Sequence, residues 1–544
     1  MFNRIKFFSF IALLWFGIIL PYFFLQTTWG AKYAGQILSH LIPDYEFSIG
    51  KVSHSITHPY EITFENIRIQ SKTQANNFDA EKLIVGLNTN DLFQYHTFNY
   101  LFIENGDIHI SSNIQDDFDA QILSLKNVSI NYENATENTN INLTNIYGGV
   151  EPWNSQLLNK DINSRFNFTV EKASYNNWHL DSLIIQGNQT DRQLNFINFG
   201  GNIAQSAIIG KASILADHSL LIDQLKINKF NYQDNFDNQL AKYLTNIPKI
   251  TIKKLSILNS SLKLPDVTIE KGNLEITHLN YNQGWQIDKS DLTFNAESLI
   301  LYDQQFDNPL LQWHSNDNQL TIEKAIAIWN KGNFTFSGNI QNKILNVNSL
   351  IASGIHYELP NNWYNSLTKV NGFNELFTHI KIKQFTLMPS LIISTDPFLP
   401  FQFNAFETFG KNVEILSNAN TLKLTGTVSI KAENGILNRV KLEKPDLILN
   451  FKPICTDLTF SSLVESGFLE GKGCLTTKEV QSFTINAHGI NSKILSAWHM
   501  VRNPLESEKF TTELNGTLYP LNLDGVLIID NDRYIISKNI MLDH

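Results

Sequence analysis

A chain of 544 residues, 42% apolar and 17% charged, has the composition of a folded protein but is too long for one compact core. A net charge of −10 with no basic stripe argues against a nucleic-acid partner. Two domains or one elongated array are the expected organisations.

Residues 7–25, FFSFIALLWFGIILPYFFL, carry no charge. As a helix they would be ~28 Å long, about one hydrocarbon core. Phe7, Leu14, Trp15, Ile19 and Leu25 mark this expected membrane anchor. A cleaved signal peptide would have a shorter apolar core and a small-residue cleavage site, so an uncleaved anchor is the better reading. Arg4 and Lys6 precede the segment and no acid does, which leaves the N-terminus in the cytoplasm and the bulk of the chain across the membrane.

Next, Trp29, Tyr33, Ile37, Leu38 and Leu41 fall at helical spacing on one face, with Thr28 as a cap and Pro43 as a stop. Two readings are open: a helix on the membrane surface, or a capping helix whose apolar face packs on the start of a sheet. The abrupt strand signals after Pro43 favour the cap.

From residue 45 onward nearly every segment reads as a short strand bounded by Asn, Asp, Gly or Ser. Helical patterns are few: 234–248 is the clearest, with shorter candidates near 361–368, 456–466 and 491–500.

The strands share a stuttered beat, apolar at i, i+2, i+5 and i+7. It occurs at Ile62, Phe64, Ile67 and Ile69, and at Leu123, Leu125, Val128 and Ile130. It returns at Leu225, Ile227, Phe230 and Tyr232, and at Ile250, Ile252, Leu255 and Ile257. Further copies start at 168, 274 and 380, and the two residues at each break are polar. Neither a helix nor a straight strand puts all four positions on one face. A β-bulge in each strand does so, and a two-residue turn is the alternative. The expected fold is mainly β: an elongated, curved, mostly antiparallel sheet whose apolar side forms a trough, with a few short helices.

Motifs for chemistry are absent: the chain has no HExxH, GxSxG, GxGxxG or phosphate-loop sequence. No enzyme, metal or cofactor is expected. Cys455 and Cys474, the two cysteines, suit one disulfide in an oxidising compartment and two buried thiols otherwise.

The anchor, LQTTWGAKYAGQILS, the stretch FSIGKVSHSITHPYEITFENIRI, and the segments GGVEPWN, YELPNNWYNSL and LVESGFLEGKGCLTT together resemble the AsmA family of Gram-negative bacteria, most closely its YicH-type members. The first part is similar to a chorein-like module. The resemblance spans nearly the whole chain through the order of its segments and not through one motif. It implies an inner-membrane anchor (1–27), a periplasmic β-groove with a capping helix (28–247) and a β-rich continuation (248–544). It also implies handling of phospholipid between the inner and outer membranes, in support of the outer membrane. The rival expectation is a non-enzymatic periplasmic scaffold that aids outer-membrane protein assembly. Membrane lipids, and an envelope protein, are the expected partners. The residues of the stuttered strands listed above through Ile257, Tyr232 excepted, are the candidate lipid-groove residues.

Overall fold

The computed structural model describes residues 22–536, except 56, 74, 89–96, 112–117, 135–138, 156–161, 177, 204, 234–248, 283, 303, 317, 362–376, 398–399, 419–420, 476–479, 492–493, 495–508, 519–520 and 530–531. Most of the anchor segment and the helix expected at 234–248 lie outside the described residues. Among the described residues no helix is long and apolar enough to cross a membrane. The protein is mainly β and forms two compact units. Unit 1 is 1–260 with 277–286, and unit 2 is 261–276 with 287–544.

Unit 1 begins with four antiparallel strands: Tyr45–Ser55, His58–Ser71, Asn77–Leu87 and Thr97–Ile110. Thr97–Ile110 then pairs in parallel with Asp119–Asn134, whose other neighbour is Thr139–Glu151. The apolar side of these strands, with Ser164–Tyr175 and Trp178–Thr190, forms one cluster around Ile49, Ile67, Ile103, Leu125, Val128, Ile146 and Val170. All four positions of the first two stuttered segments belong to it: Ile62, Phe64, Ile67 and Ile69, and Leu123, Leu125, Val128 and Ile130.

The stutter works differently from the expected bulge. Ile49 faces Ile67 and Lys51 faces Glu65, and the ladder steps over Gly50 and Asn66 together. It likewise steps over Asn66 with Glu81, Glu81 with Asn105, and Asn105 with Asn127, with unchanged register on both sides. Each strand therefore carries its own extra residue, and the extras line up across the sheet as a crease. Only at the next pair does the register shift, beside Lys126 and Val128.

Asn66, Asn105, Asn127 and Asn145 sit at φ +51°, +50°, +56° and +54°. One left-handed residue resets the alternation, so the apolar residues before and after it share a face. Asn enters this region at lower cost than most residues with a side chain. The Asn side chains bond along the crease: Asn127 Nδ2 donates to Asn105 Oδ1 at 2.7 Å, and Asn105 Nδ2 to Glu81 Oε2 at 2.5 Å. Asn145 donates to Glu171 in the same manner.

Chain length requires a bend in this region. Thr97 pairs with Asp119 and Ile110 with Tyr132, so the chain returns from Ile110 to the level of Thr97 within nine residues. Nine residues reach ~32 Å, and a straight strand from Thr97 to Ile110 would be ~43 Å long. Even with ~5 Å between neighbouring strands, the pair cannot be straight. Replacing Asn127 by Val is expected to cost roughly 1–2 kcal/mol through the left-handed φ alone, whereas Asn127→Gly keeps that conformation accessible. Denaturation midpoints of the two variants check this, and equal losses would remove the crease argument.

The helix Thr28–Leu41 packs on the start of unit 1, but not by the expected face. Gly30, Ala31 and Gly35 are its buried residues, with Ala34 and Leu38 packed against the cluster. Trp29, Tyr33, Ile37 and Leu41 are exposed, Trp29 at 80% and Leu41 at 68%. The reason is steric. A Cβ at Gly35 would lie 2.8 Å from the Phe47 carbonyl oxygen, so the contact tolerates only small residues. Ser39 Oγ donates to Gly35 O at 2.8 Å and accepts from Phe47 N at 2.8 Å. The helix thereby covers part of the free edge of Tyr45–Ser55, a device against edge-to-edge pairing. Its N-cap is Thr27, one residue before the expected Thr28.

Further along unit 1, the copies starting at 225 and 250 lie side by side. Leu220–Asn228 and Ile250–Lys263 pair in parallel, with Ile222 beside Ile252, Leu225 beside Leu255 and Ile227 beside Ile257. The polar step Lys253–Lys254 of the second copy lies beside Asp223–Gln224, just before the first copy begins, and Lys253 Nζ lies 2.6 Å from Asp223 Oδ1. Phe230 stacks on Tyr232, centroids 6.0 Å apart.

Unit 2 contains a long antiparallel meander from His379–Ser394 to Asp532–Ile536. Residues 456–466, expected as a helix, contain the strand Thr456–Val464, paired on both sides. Leu458 and Phe460 alternate there with Asp457 and Thr459, a period-2 pattern that overrides the helical spacing. Its hairpins include two-residue turns at Asn330–Lys331, Asn342–Lys343 and Asn438–Arg439, with both φ positive in each. This is the geometry that matches strand twist. Parallel pairs occur here as well, between Ile344–Ser353 and His379–Ser394 and between His356–Leu359 and His379–Ser394, so the sheet is mixed and not purely antiparallel.

Candidate functional site: an apolar cavity in the second unit

The strands of unit 2 line a partly open cavity of about 720 Å³, within the usual range for small-molecule sites. Its lining comes from many strands. Phe401, Phe403 and Phe406 enter from Phe401–Asn418, Leu442 and Leu447 from Val440–Phe451, and Leu458 and Phe460 from Thr456–Val464. Ile485, Ala487 and Ile490 come from Val480–Asn491, and Phe510 and Leu514 from Lys509–Leu518. Phe401, Phe403 and Phe406 form a run of ring contacts, with centroids 5.3 and 6.2 Å apart.

Most of the polar groups in the lining are engaged, while Asp446 Oδ1 is buried without a hydrogen-bond partner. Ser462 Oγ donates to Glu443 O at 3.2 Å and Thr512 Oγ1 to Val526 O at 2.8 Å. Lys431 Nζ and Asp446 Oδ2 pair with each other at 3.0 Å. The Ser462 and Thr512 hydroxyl protons are thus spent on carbonyls, and Lys431 and Asp446 share one ion pair. Most of the lining is hydrocarbon, which suits an apolar, flexible guest.

The sequence reading placed the groove earlier in the chain. Structure puts the 62–69 and 123–130 candidates in the packed cluster of unit 1, and Ile250 and Ile252 are also buried. Leu225, Ile227, Phe230, Leu255 and Ile257 are partly exposed along the same unit. None of these residues lines the unit 2 cavity. The cavity lining was missed because its residues lie on strands far apart in sequence. One signal was available, the density of Phe between 401 and 409, but density alone does not distinguish a core from a cavity. Cys455 and Cys474 are disulfide-bonded, Cα atoms 5.7 Å apart, beside the strands carrying Leu458 and Leu469.

The displaced protonation equilibria belong mostly to surface ion pairs. A hydrogen bond from Lys126 holds the Glu104 carboxyl below its ordinary range, and Lys441 does the same for Glu443. Burial, then a hydrogen bond to Glu61, pushes the Tyr100 phenol up to about 12, so it keeps its proton at neutral pH.

No family model matches the chain. The chain is similar to the AsmA family protein YicH of Escherichia coli (strain K12), 24% identical over 501 residues, covering 90% of this chain and 86% of that protein. The similarity supports membership of the AsmA family. The AsmA-family relative matches both units and is not confined to the N-terminal one, because 90% coverage cannot be reached by either unit alone. A family of this kind suggests an envelope-related role, with which a β-rich fold is compatible.

Proposed function

We propose that this chain is a non-enzymatic lipid-handling protein of the bacterial envelope, which holds phospholipid acyl chains in the apolar cavity of unit 2. It is anchored in the inner membrane by residues 7–25, with its N-terminus in the cytoplasm and its two β-rich units in the periplasm. The single observation that carries the reading is the cavity lining, dominated by aromatic and aliphatic side chains, with the Ser462 and Thr512 hydroxyls already bonded. Burial of an acyl chain gains ~0.8 kcal/mol per methylene, so about ten methylenes contribute ~8 kcal/mol. Uptake of that size needs no nucleophile, metal or cofactor. It supports carriage of phospholipid between the inner and outer membranes as the task of the protein.

Photocrosslinking tests this. The full chain is placed in vesicles containing phospholipid with a diazirine in the acyl chain, illuminated and digested. Crosslinked peptides from 401–409, 440–464 and 480–491 are expected. Crosslinks confined to residues 7–25 would overturn the reading and favour the scaffold role.

A further inference from the structure

Among the described residues, the exposed ridge of the helix Thr28–Leu41 has no partner. Trp29, Tyr33, Ile37 and Leu41 recur every fourth residue and point away from the small residues that pack on the sheet. Phe23, Phe24 and Leu25, just before the helix, are exposed as well. A soluble face would not leave seven large apolar side chains in nineteen residues, 23–41, exposed to water.

Three observations identify what covers this ridge. First, it continues the uncharged segment 7–25 with only Gln26 and Thr27 between. Second, the junction is built. Thr27 Oγ1 donates to Phe24 O at 2.6 Å and accepts from Gly30 N at 3.1 Å, and a Cβ at Gly30 would lie 2.0 Å from Phe24 O. The Tyr22 hydroxyl donates to His54 O at 2.9 Å, so the end of the apolar segment is tied to the first strand. Third, the charge is right. Although the protein is acidic overall, no Asp or Glu occurs before Asp44, and Lys32 lies on the helix itself. Anionic headgroups therefore meet no repulsion here.

We infer that the helix Thr28–Leu41 lies in the headgroup layer of the bilayer that holds residues 7–25, with Trp29, Tyr33, Ile37 and Leu41 inserted. Trp and Tyr favour this layer because one end of each ring system is apolar and the other polar. The helix then has two working faces. Its small residues carry the crease cluster of unit 1, and its large ones hold that unit flat against the membrane. The inference rests on the anchor reading but not on the cavity.

The test uses the full chain in phosphatidylethanolamine–phosphatidylglycerol vesicles. Single labelling sites are introduced by Trp29→Cys, Ile37→Cys, Leu41→Cys and Lys32→Cys, with Ile11→Cys in the anchor, the native cysteines being paired. Each nitroxide is tested for collision with oxygen, which concentrates in lipid, and with a water-soluble nickel chelate. Labels at 29, 37 and 41 are expected ~5–10 Å below the headgroup surface, the depth of interfacial helices. The label at 32 is expected in contact with the chelate. Chelate access at all four helix sites, with the label at 11 still in lipid, would overturn the inference while leaving the anchor intact. Helix sites closed to both reagents would overturn it in favour of a protein partner. A label at 11 open to the chelate would overturn the anchor reading and this one with it.

Discussion

The Ala487→Phe variant is expected to lose at least about tenfold in acyl-chain crosslinking to unit 2, equivalent to ~1.4 kcal/mol of binding. Ala487 is 1% exposed and lies between Ile485 and Ile490 on a strand that lines the cavity. Ala487 packs in a buried cluster with Leu442, Ile490 and Phe510, so a phenyl ring there pushes such neighbours into space that an acyl chain would otherwise use. Overpacking a filled core costs ~1–3 kcal/mol, because neighbours are forced off their rotamers. The adjoining cavity of about 720 Å³ gives the displaced side chains room that a filled core would not. Binding should therefore fall much more than stability. The comparison is the yield of crosslinked 480–491 peptide beside the thermal midpoint. Wild-type crosslinking in a folded variant would show that the cavity is not the lipid site.

The second large effect is expected in unit 1. Ile67→Asp should destabilise the protein by at least ~3 kcal/mol, since an isolated carboxylate in an apolar cluster lacks both solvent and a counter-charge. Ile67 is 3% exposed and lies opposite Ile49 on one neighbouring strand and Ala80 on the other. Its chain neighbour makes the control. Arg68 Nε lies 2.5 Å from Asp79 Oδ1, but the side chains are 60% and 35% exposed. Arg68→Ala should leave the denaturation midpoint nearly unchanged, because exposed ion pairs contribute little. Chemical denaturation of the two variants gives the contrast. Similar midpoints would mean that the crease cluster is not a core.

Much of the fold was legible because a strand reports its buried face directly. Ile62 and Phe64 before the polar step, and Ile67 and Ile69 after it, declare that both halves face the same way. The device between them was less legible. A bulge and a left-handed crease leave the same apolar spacing in one strand, and only the partner's register distinguishes them. Asn66, Asn105 and Asn127 were a clue, since Asn favours positive φ, but their alignment belongs to the sheet. The helix 28–41 was misread for a different reason. Hydrophobicity selects the face with the largest apolar side chains, whereas close packing on a strand selects the face with the smallest. Gly35 against the Phe47 carbonyl decides the contact, and Trp29 and Leu41 are left outside.

The cavity marks the limit of reading along a chain. Phe403, Leu442, Phe460, Ala487 and Phe510 are ordinary inward-facing strand residues when taken one at a time. The sequence by itself determined which side of each strand is apolar, where the alternation resets, and that the first 43 residues are built without acids. These are local properties, set by side-chain period and charge. Tertiary structure alone decided which inward faces meet in packed clusters and where a space is left beside them. That outcome depends on strand register and bending summed over many neighbours, to which no single segment holds the information.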